Sequence, residues 1–177
     1  MRTAIIGVGS ILFQDEGVGV YASVYLDKNY IFSGDVTLVD GGVLGFHLIG
    51  YYLDYDKVLI LDTITMEDVA GSIYNLPAGE LLGLGSYKQS VHEVEVVEML
   101  EIASLHEKSA EVNVIGIIPE DIKNINIGLS DVIKARFGAF ICAALEELEH
   151  SGIKYTKNKT EFSLESVIES YRNPQNG

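Results

Sequence analysis

The sequence is poor in cysteine and in positive charge. It contains one cysteine, Cys142, among 177 residues. A single cysteine excludes an intrachain disulfide, and nothing in the cysteine usage indicates an oxidising compartment. Lys and Arg number 12 against 26 Asp and Glu, which gives a formal net charge of −14. Because nucleic acids and anionic membrane surfaces attract clustered Lys and Arg, this charge argues against both as partners.

Long hydrophobic runs are also missing. The first apolar run, Thr3–Val8, is broken by glycine and is too short for a signal sequence or a membrane span. We therefore expect a cytoplasmic protein. The acidic surface suits a basic partner or a metal cation, and it serves equally well as a means of solubility. A chain of 177 residues that is 47% hydrophobic is long enough to bury a substantial core in one domain.

Short apolar runs alternate with helical patterns along the chain. Four runs are typical of strands buried on both faces: Thr3–Val8, Val36–Val39, Lys57–Leu61 and Val112–Ile117. Four segments have helical spacing: Gly17–Leu26, Leu44–Tyr52, Val91–Ser104 and Ser130–His150. This alternation predicts a three-layer α/β fold with a mostly parallel, twisted sheet of about five strands and helices on both faces. Ser72–Leu76 is the candidate for an edge strand, possibly an antiparallel one.

The domain is expected to span residues 1–152. Ser130 precedes a long helix whose apolar stripe is predicted to face the core. Cys142 is interpreted as part of that core-facing side and therefore as an inert thiol. After His150 the composition becomes polar, so residues 153–177 are predicted to form a tail that is partly disordered or contains a short helix near Leu164–Tyr171.

The segment after the first strand places Asp15 and Glu16 side by side, followed by Gly17 and Gly19. A dinucleotide fingerprint is disfavoured, because its third glycine is replaced by Leu12 and the two carboxylates would repel a pyrophosphate. Helix capping explains one of the two acidic residues. It requires neither both of them nor the glycines that follow.

Asp62 and His92 combine with Glu16 of this acidic pair into a candidate metal site. Asp62 ends the strand pattern "KVLILD", and Asp40 ends "VTLVD" in the same manner. Because ligands collect beyond the carboxyl ends of parallel strands, Glu16 and Asp62 come together if the first and third strands are neighbours. His92 follows the capping-box spacing of Ser90 and Glu93, so we expect it in the first turn of a helix and neutral.

Glu16, Asp62 and His92 together have the donor chemistry of an open divalent-cation site. Carboxylate and imidazole ligands suit zinc, nickel or cadmium better than calcium. Each residue also has an ordinary explanation: a helix cap, an acidic strand end and a polar surface histidine.

Five segments in order resemble one known family: "GVGSILFQDEGVGV", "VDGGVLGFHL", "DKVLILD", "SVHEVEVVEML" and "VIGIIPEDI…GLSDVI". Over roughly residues 3–149 the chain is similar to the hydrogenase maturation endopeptidases. The resemblance implies an aspartic-type endopeptidase that trims the C-terminal extension from the nickel-loaded large-subunit precursor of a nickel–iron hydrogenase.

The resemblance also assigns the site residues. The metal ligands of the family fall on Glu16, Asp62 and His92, and Asp62 and Glu16 are implied to be catalytic. The nickel would be carried by the precursor, and zinc or cadmium could occupy the same ligands in vitro. The chain departs from the family pattern at Ser10, where Asn is usual, and at Thr63, where Ala is common.

A binding module is the alternative to an enzyme. The same ligands would serve a nickel-sensing chaperone that docks on the hydrogenase precursor without cleaving it, and the same fold would serve a small-molecule-binding domain. Neither reading involves nucleic acid or a membrane, and we expect a monomer.

Overall fold

The computed structural model describes residues 1–77, 79–80, 91–106 and 109–174, with the backbone alone at residues 91–95. Within the described residues, a sheet is formed by five strands: β1 (Arg2–Val8), β3 (Asp35–Gly42), β4 (Lys57–Thr63), β5 (Ile73–Pro77) and β6 (Glu111–Ile117). Their order is β3-β1-β4-β6-β5. Strands β3, β1, β4 and β6 run parallel to one another, and β5 pairs antiparallel with β6 at the edge. The predicted mostly parallel sheet with an antiparallel edge strand is confirmed.

Helices cover both faces of this sheet. They are α1 (Val18–Asn29), α2 (Ile49–Asp54), α3 (Val91–Ser104), α4 (Asp131–His150) and α5 (Leu164–Arg172). Successive strand residues point to opposite faces, and the core divides accordingly. Ile5 and Leu59 pack with α1, α4 and α5, whereas Ile6 and Ile60 pack with α2 and α3. The three-layer α/β prediction is therefore confirmed.

Helix α4 begins as the sequence predicts. The hydroxyl oxygen of Ser130 accepts a hydrogen bond from the backbone N–H of Ile133 at 3.3 Å, which caps the first turn. The predicted core-facing position of Cys142 is wrong, because its side chain is exposed. Each helical residue is rotated by about 100° from the previous one, so Ile141 faces the core while its neighbour Cys142 turns away from it.

The segment after residue 152 is packed against the body of the domain. Strand β7 (Tyr155–Lys157) pairs antiparallel with β2 (Tyr30–Phe32) in a separate small sheet. The helix predicted near Leu164–Tyr171 is present as α5, and Val167 and Ile168 on it are fully buried with α1 and α4. Residues 153–174 of the predicted polar tail are thus part of the packed fold, because α5 carries an apolar stripe at helical spacing.

No helix within the described part of the chain has the length and apolar character needed to cross a membrane.

Candidate functional site

Two glycines seat the start of α1 directly on the sheet. A Cβ atom at Gly19 would lie 2.0 Å from the carbonyl oxygen of Leu61 and 2.6 Å from that of Val8. A Cβ atom at Gly7 would lie 2.1 Å from the carbonyl oxygen of Gly19. Only glycine permits such backbone contact. Gly19, one of the two glycines after Asp15-Glu16, therefore serves helix–strand packing at the carboxyl ends of β1 and β4.

Glu16 lies in the 3₁₀ helix Gln14–Gly17, which leads into α1 and contacts β4. Its side chain is half-buried. Strands β1 and β4 are neighbours in the sheet, with Gly7 opposite Leu61. The structure thus brings the segment that carries Glu16 to the end of β4, as the sequence reasoning requires for a joint site with Asp62.

Asp62 is the penultimate residue of β4 and is only 3% exposed. One carboxylate oxygen, Oδ1, accepts a hydrogen bond from the backbone N–H of Thr63 at 2.7 Å. Burial and the nearby Asp62 carboxylate raise the pKa of Tyr52. The Tyr52 hydroxyl therefore stays protonated at neutral pH. A buried carboxylate at the carboxyl end of a central strand can bind a cation or accept a proton from water.

His92 is the second residue of α3 as the structure describes that helix, and Ser90, the predicted cap, lies outside the described residues. The side chain of His92 also lies outside the described residues, so its distance from Glu16 and Asp62 is not defined. Among side chains that the structure describes, no group of three His, Cys, Asp or Glu residues is placed to hold a metal ion. The three-residue site with Glu16, Asp62 and His92 stays a prediction.

Asp15 has a structural task that sequence reasoning missed. It is fully buried, and its carboxylate accepts hydrogen bonds from the backbone N–H groups of Glu120 at 3.0 Å, Asp121 at 2.9 Å and Ser130 at 2.6 Å. Asp15 thereby ties the loop after β1 to the connection between β6 and α4. Helix α1 itself has no side-chain cap, so the capping interpretation does not apply to Asp15 there.

Asp40 lies near the end of β3, opposite Gly7 of β1. Strand β1 therefore separates it from Asp62 in β4. The carboxylate oxygen Oδ2 of Asp40 accepts a hydrogen bond from the hydroxyl of Tyr171 in α5 at 2.6 Å. Sequence spacing alone does not connect the two residues, because they are 131 positions apart. The carboxyl edge of the sheet therefore carries acidic residues from the ends of β3 and β4 and from the loop after β1.

This arrangement defines an α/β protein with a carboxylate-rich site at the carboxyl edge of a mostly parallel sheet. A family model described as hydrogenase maturation protease matches residues 20–147. The chain belongs to the hydrogenase maturation protease family, and it is accordingly a peptidase.

Individual relatives support this family assignment, and their matches to this chain cover most of their own length. The Hydrogenase 2 maturation protease of Escherichia coli (strain K12) is 30% identical over 156 residues, which cover 87% of this chain and 94% of the relative. The solved structure of the hydrogenase maturating endopeptidase HybD from E. coli is similar with a TM-score of 0.83 and 28% identity, over 89% of this chain and 98% of that one. The [NiFe] hydrogenase maturation protease HybD from Thermococcus kodakarensis has a TM-score of 0.67 and 27% identity, over 84% and 99%.

Proposed function

We propose that this peptidase is an endopeptidase that removes the C-terminal extension from the nickel-loaded large-subunit precursor of a nickel–iron hydrogenase. Family membership and the names of the relatives support a precursor of this kind as substrate. The observation that carries the proposal is the buried Asp62 carboxylate at the end of β4, against which the 3₁₀ helix of Glu16 is packed. We further propose that the protein acts in the cytoplasm as a monomer.

The nickel ion belongs to the substrate in this proposal. Glu16, Asp62 and His92 would contact it from the protease side, since two carboxylates and an imidazole suit nickel, zinc and cadmium. Zinc or cadmium is expected to bind the same ligands when no precursor is present. Contact with nickel aligns the precursor strand at the carboxyl edge, where a loaded metal centre signals that assembly is complete.

The Asp62 carboxylate is the proposed general base, which makes the reaction aspartic-type. It accepts a proton from the water that attacks the scissile carbonyl, and it returns a proton to the leaving amine as the peptide bond breaks. Glu16 contributes a second negative ligand toward the nickel. The neutral Tyr52 hydroxyl near Asp62 adds no further negative charge to this end of β4.

A cleavage assay with matched precursors tests the proposal. Precursor purified with and without nickel is incubated with wild-type protein, and the loss of the extension is read by mass spectrometry. Asp62→Asn preserves shape but removes the base, so we expect at least an approximately hundredfold loss of rate. Glu16→Gln is expected to weaken recognition, so its defect should be relieved at high protease concentration. Asp54→Asn, at an exposed carboxylate that ends α2, is the control and should cleave normally.

The outcomes separate the candidate functions. Loss of mass from the nickel-loaded precursor alone supports the proposal. Binding of the loaded precursor without any loss of mass would instead indicate the nickel-sensing chaperone. Efficient cleavage of nickel-free precursor, or an unimpaired Asp62→Asn variant, would show that this group of residues is not the mechanism.

A further inference from the structure

A groove of about 360 Å³ lies at the carboxyl edge of the sheet, on the side of β3. One wall is the loop after β1, with Gly9, Ser10 and Leu12, and the opposite wall is the loop after β3, with Val43. Asp40 and Tyr171 also line it. The loop after β1 continues directly into the 3₁₀ helix that carries Glu16, so the groove and the proposed cleavage site share one segment of chain.

The backbone of both walls is fixed. The N–H of Gly9 donates a hydrogen bond to the carbonyl of Gly42 at 2.9 Å, which joins the two loops. A Cβ atom at Gly41 would lie 2.8 Å from Cγ2 of Ile6, so the chain after Asp40 is pressed against β1. The backbone position of Asp40 is therefore set by the sheet, whereas its exposed side chain needs a partner to hold one rotamer.

Tyr171 is that partner, and it is itself held from several sides. Its hydroxyl donates to Oδ2 of Asp40 at 2.6 Å, and its ring lies edge-on to the buried ring of Tyr21 with 5.6 Å between centroids. The next residue, Arg172, donates from Nε to the carbonyl of Ile127 at 2.7 Å. Burial and the hydrogen bond to Asp40 raise the pKa of Tyr171, so its hydroxyl remains a donor at physiological pH.

We propose that Tyr171 is a positioning residue for the cleavage reaction, which holds the Asp40 carboxylate at the wall of the groove to accept a hydrogen bond from a backbone N–H of the precursor. This inference rests on the proposed function. The groove suits an extended peptide, because its glycine-containing walls leave room for a backbone and its apolar residues cover a side chain. The carboxylate has a second oxygen, Oδ1, with which to bind the peptide N–H.

Steady-state cleavage by Tyr171→Phe tests the inference. Phenylalanine keeps the ring contact with Tyr21 but cannot donate to Asp40. We expect KM for the nickel-loaded precursor to rise about tenfold, the size of effect typical for losing a hydrogen bond to a charged group. The value of kcat and the melting temperature should stay close to those of the wild type. Tyr74→Phe is the control, because it deletes a bond of the same kind, from Tyr74 in the opposite edge strand β5 to Asp68 at 2.5 Å.

A double variant shows whether Tyr171 acts through Asp40. If it does, the combination of Tyr171→Phe with Asp40→Asn has the same KM as Asp40→Asn alone. Independent, multiplicative effects, or an unchanged KM in Tyr171→Phe, would overturn the inference and leave the proposed function intact. If wild-type protein fails to cleave the nickel-loaded precursor, the proposed function is contradicted. The inference is then tested by comparing the affinity of Tyr171→Phe for the loaded precursor with that of the wild type. Weaker affinity than wild type supports it, and equal affinity overturns it.

Discussion

Asp15 and Glu16 are adjacent in the chain, but their side chains have different surroundings. Asp15 is fully buried and accepts three backbone hydrogen bonds from the connection between β6 and α4. Glu16 is half-buried beside the end of β4. The carboxylate of Asp15 thus holds the loop in place, and with it the backbone that carries Glu16.

Asp15→Ala should lower the free energy of unfolding by about 3–5 kcal/mol, because it leaves backbone N–H groups of Glu120, Asp121 and Ser130 without their acceptor. Asp15→Asn retains one acceptor oxygen and should lose less. Urea denaturation measures both changes, with the exposed Asp27→Ala as a control that stays within about 0.5 kcal/mol of wild type. An Asp15→Ala protein as stable as the control would contradict the proposed anchoring role.

At the scale of elements, a buried ion pair joins β4 to α4 at the end of the sheet opposite Asp62. Nζ of Lys57 lies 2.5 Å from Oε1 of Glu147, and both side chains are at most 10% exposed. Oε2 of Glu147 accepts a hydrogen bond from Asn75 of β5 at 2.6 Å. Burial alone would raise the pKa of Glu147, but the hydrogen bonds from Lys57 and Asn75 outweigh it and leave the pKa lowered.

Glu147→Gln should destabilise the protein by about 3–5 kcal/mol at pH 7, because Lys57 then keeps, among the described residues, only the exposed Glu111 as a charged partner, at 3.2 Å. A lowered pKa in the folded state means that the ionised Glu147 stabilises the fold above its usual pKa of 4.5. That contribution is lost as the pH falls through the lowered folded-state pKa. The difference in unfolding free energy between variant and wild type should therefore shrink in strongly acidic buffer. A difference that is independent of pH would contradict the ion-pair explanation.

At the scale of the whole molecule, residues 153–174 are part of the packed body. Ile153, Val167 and Ile168 are at most 5% exposed and belong to the core between the sheet and helices α1 and α4. The small sheet of β2 and β7 adds a second attachment. The fold therefore includes this segment, and its stability depends on it.

Ile168→Ala should lower the free energy of unfolding by about 2–5 kcal/mol, since it removes a fully buried side chain and leaves a cavity. Lys159→Ala, at an exposed position of the same segment, is the matched control and should change stability by less than about 0.5 kcal/mol. Chemical denaturation of both variants measures the effect. A stability loss no larger than that of the control would restore the interpretation of residues 153–177 as a separable tail.

The main sheet and the edge location of Asp62 could be predicted from the sequence because they depend on local patterns. The centre of β4, Val58–Leu61, is apolar and buried on both faces, and parallel strands bring their carboxyl ends to one edge. The partners of Asp15 and Asp40 could not be predicted, since they lie 105 or more positions away and no local spacing encodes such contacts. The helix near Leu164–Tyr171 could be predicted from its local pattern, but its packing against α1 and α4 could not, because the polar stretch before it suggested a separate tail.

The seating of α5 on α1 gives the fold a late step during synthesis on the ribosome. Helix α1 is made before most of the main sheet, whereas α5 emerges only after all five strands of that sheet. Folding that begins from the amino end therefore leaves Tyr21 uncovered until Val167, Ile168 and Tyr171 have left the exit tunnel. The wall that Tyr171 and Asp40 form is likewise absent until Tyr171 has emerged. The groove is therefore completed only after α5 has been made.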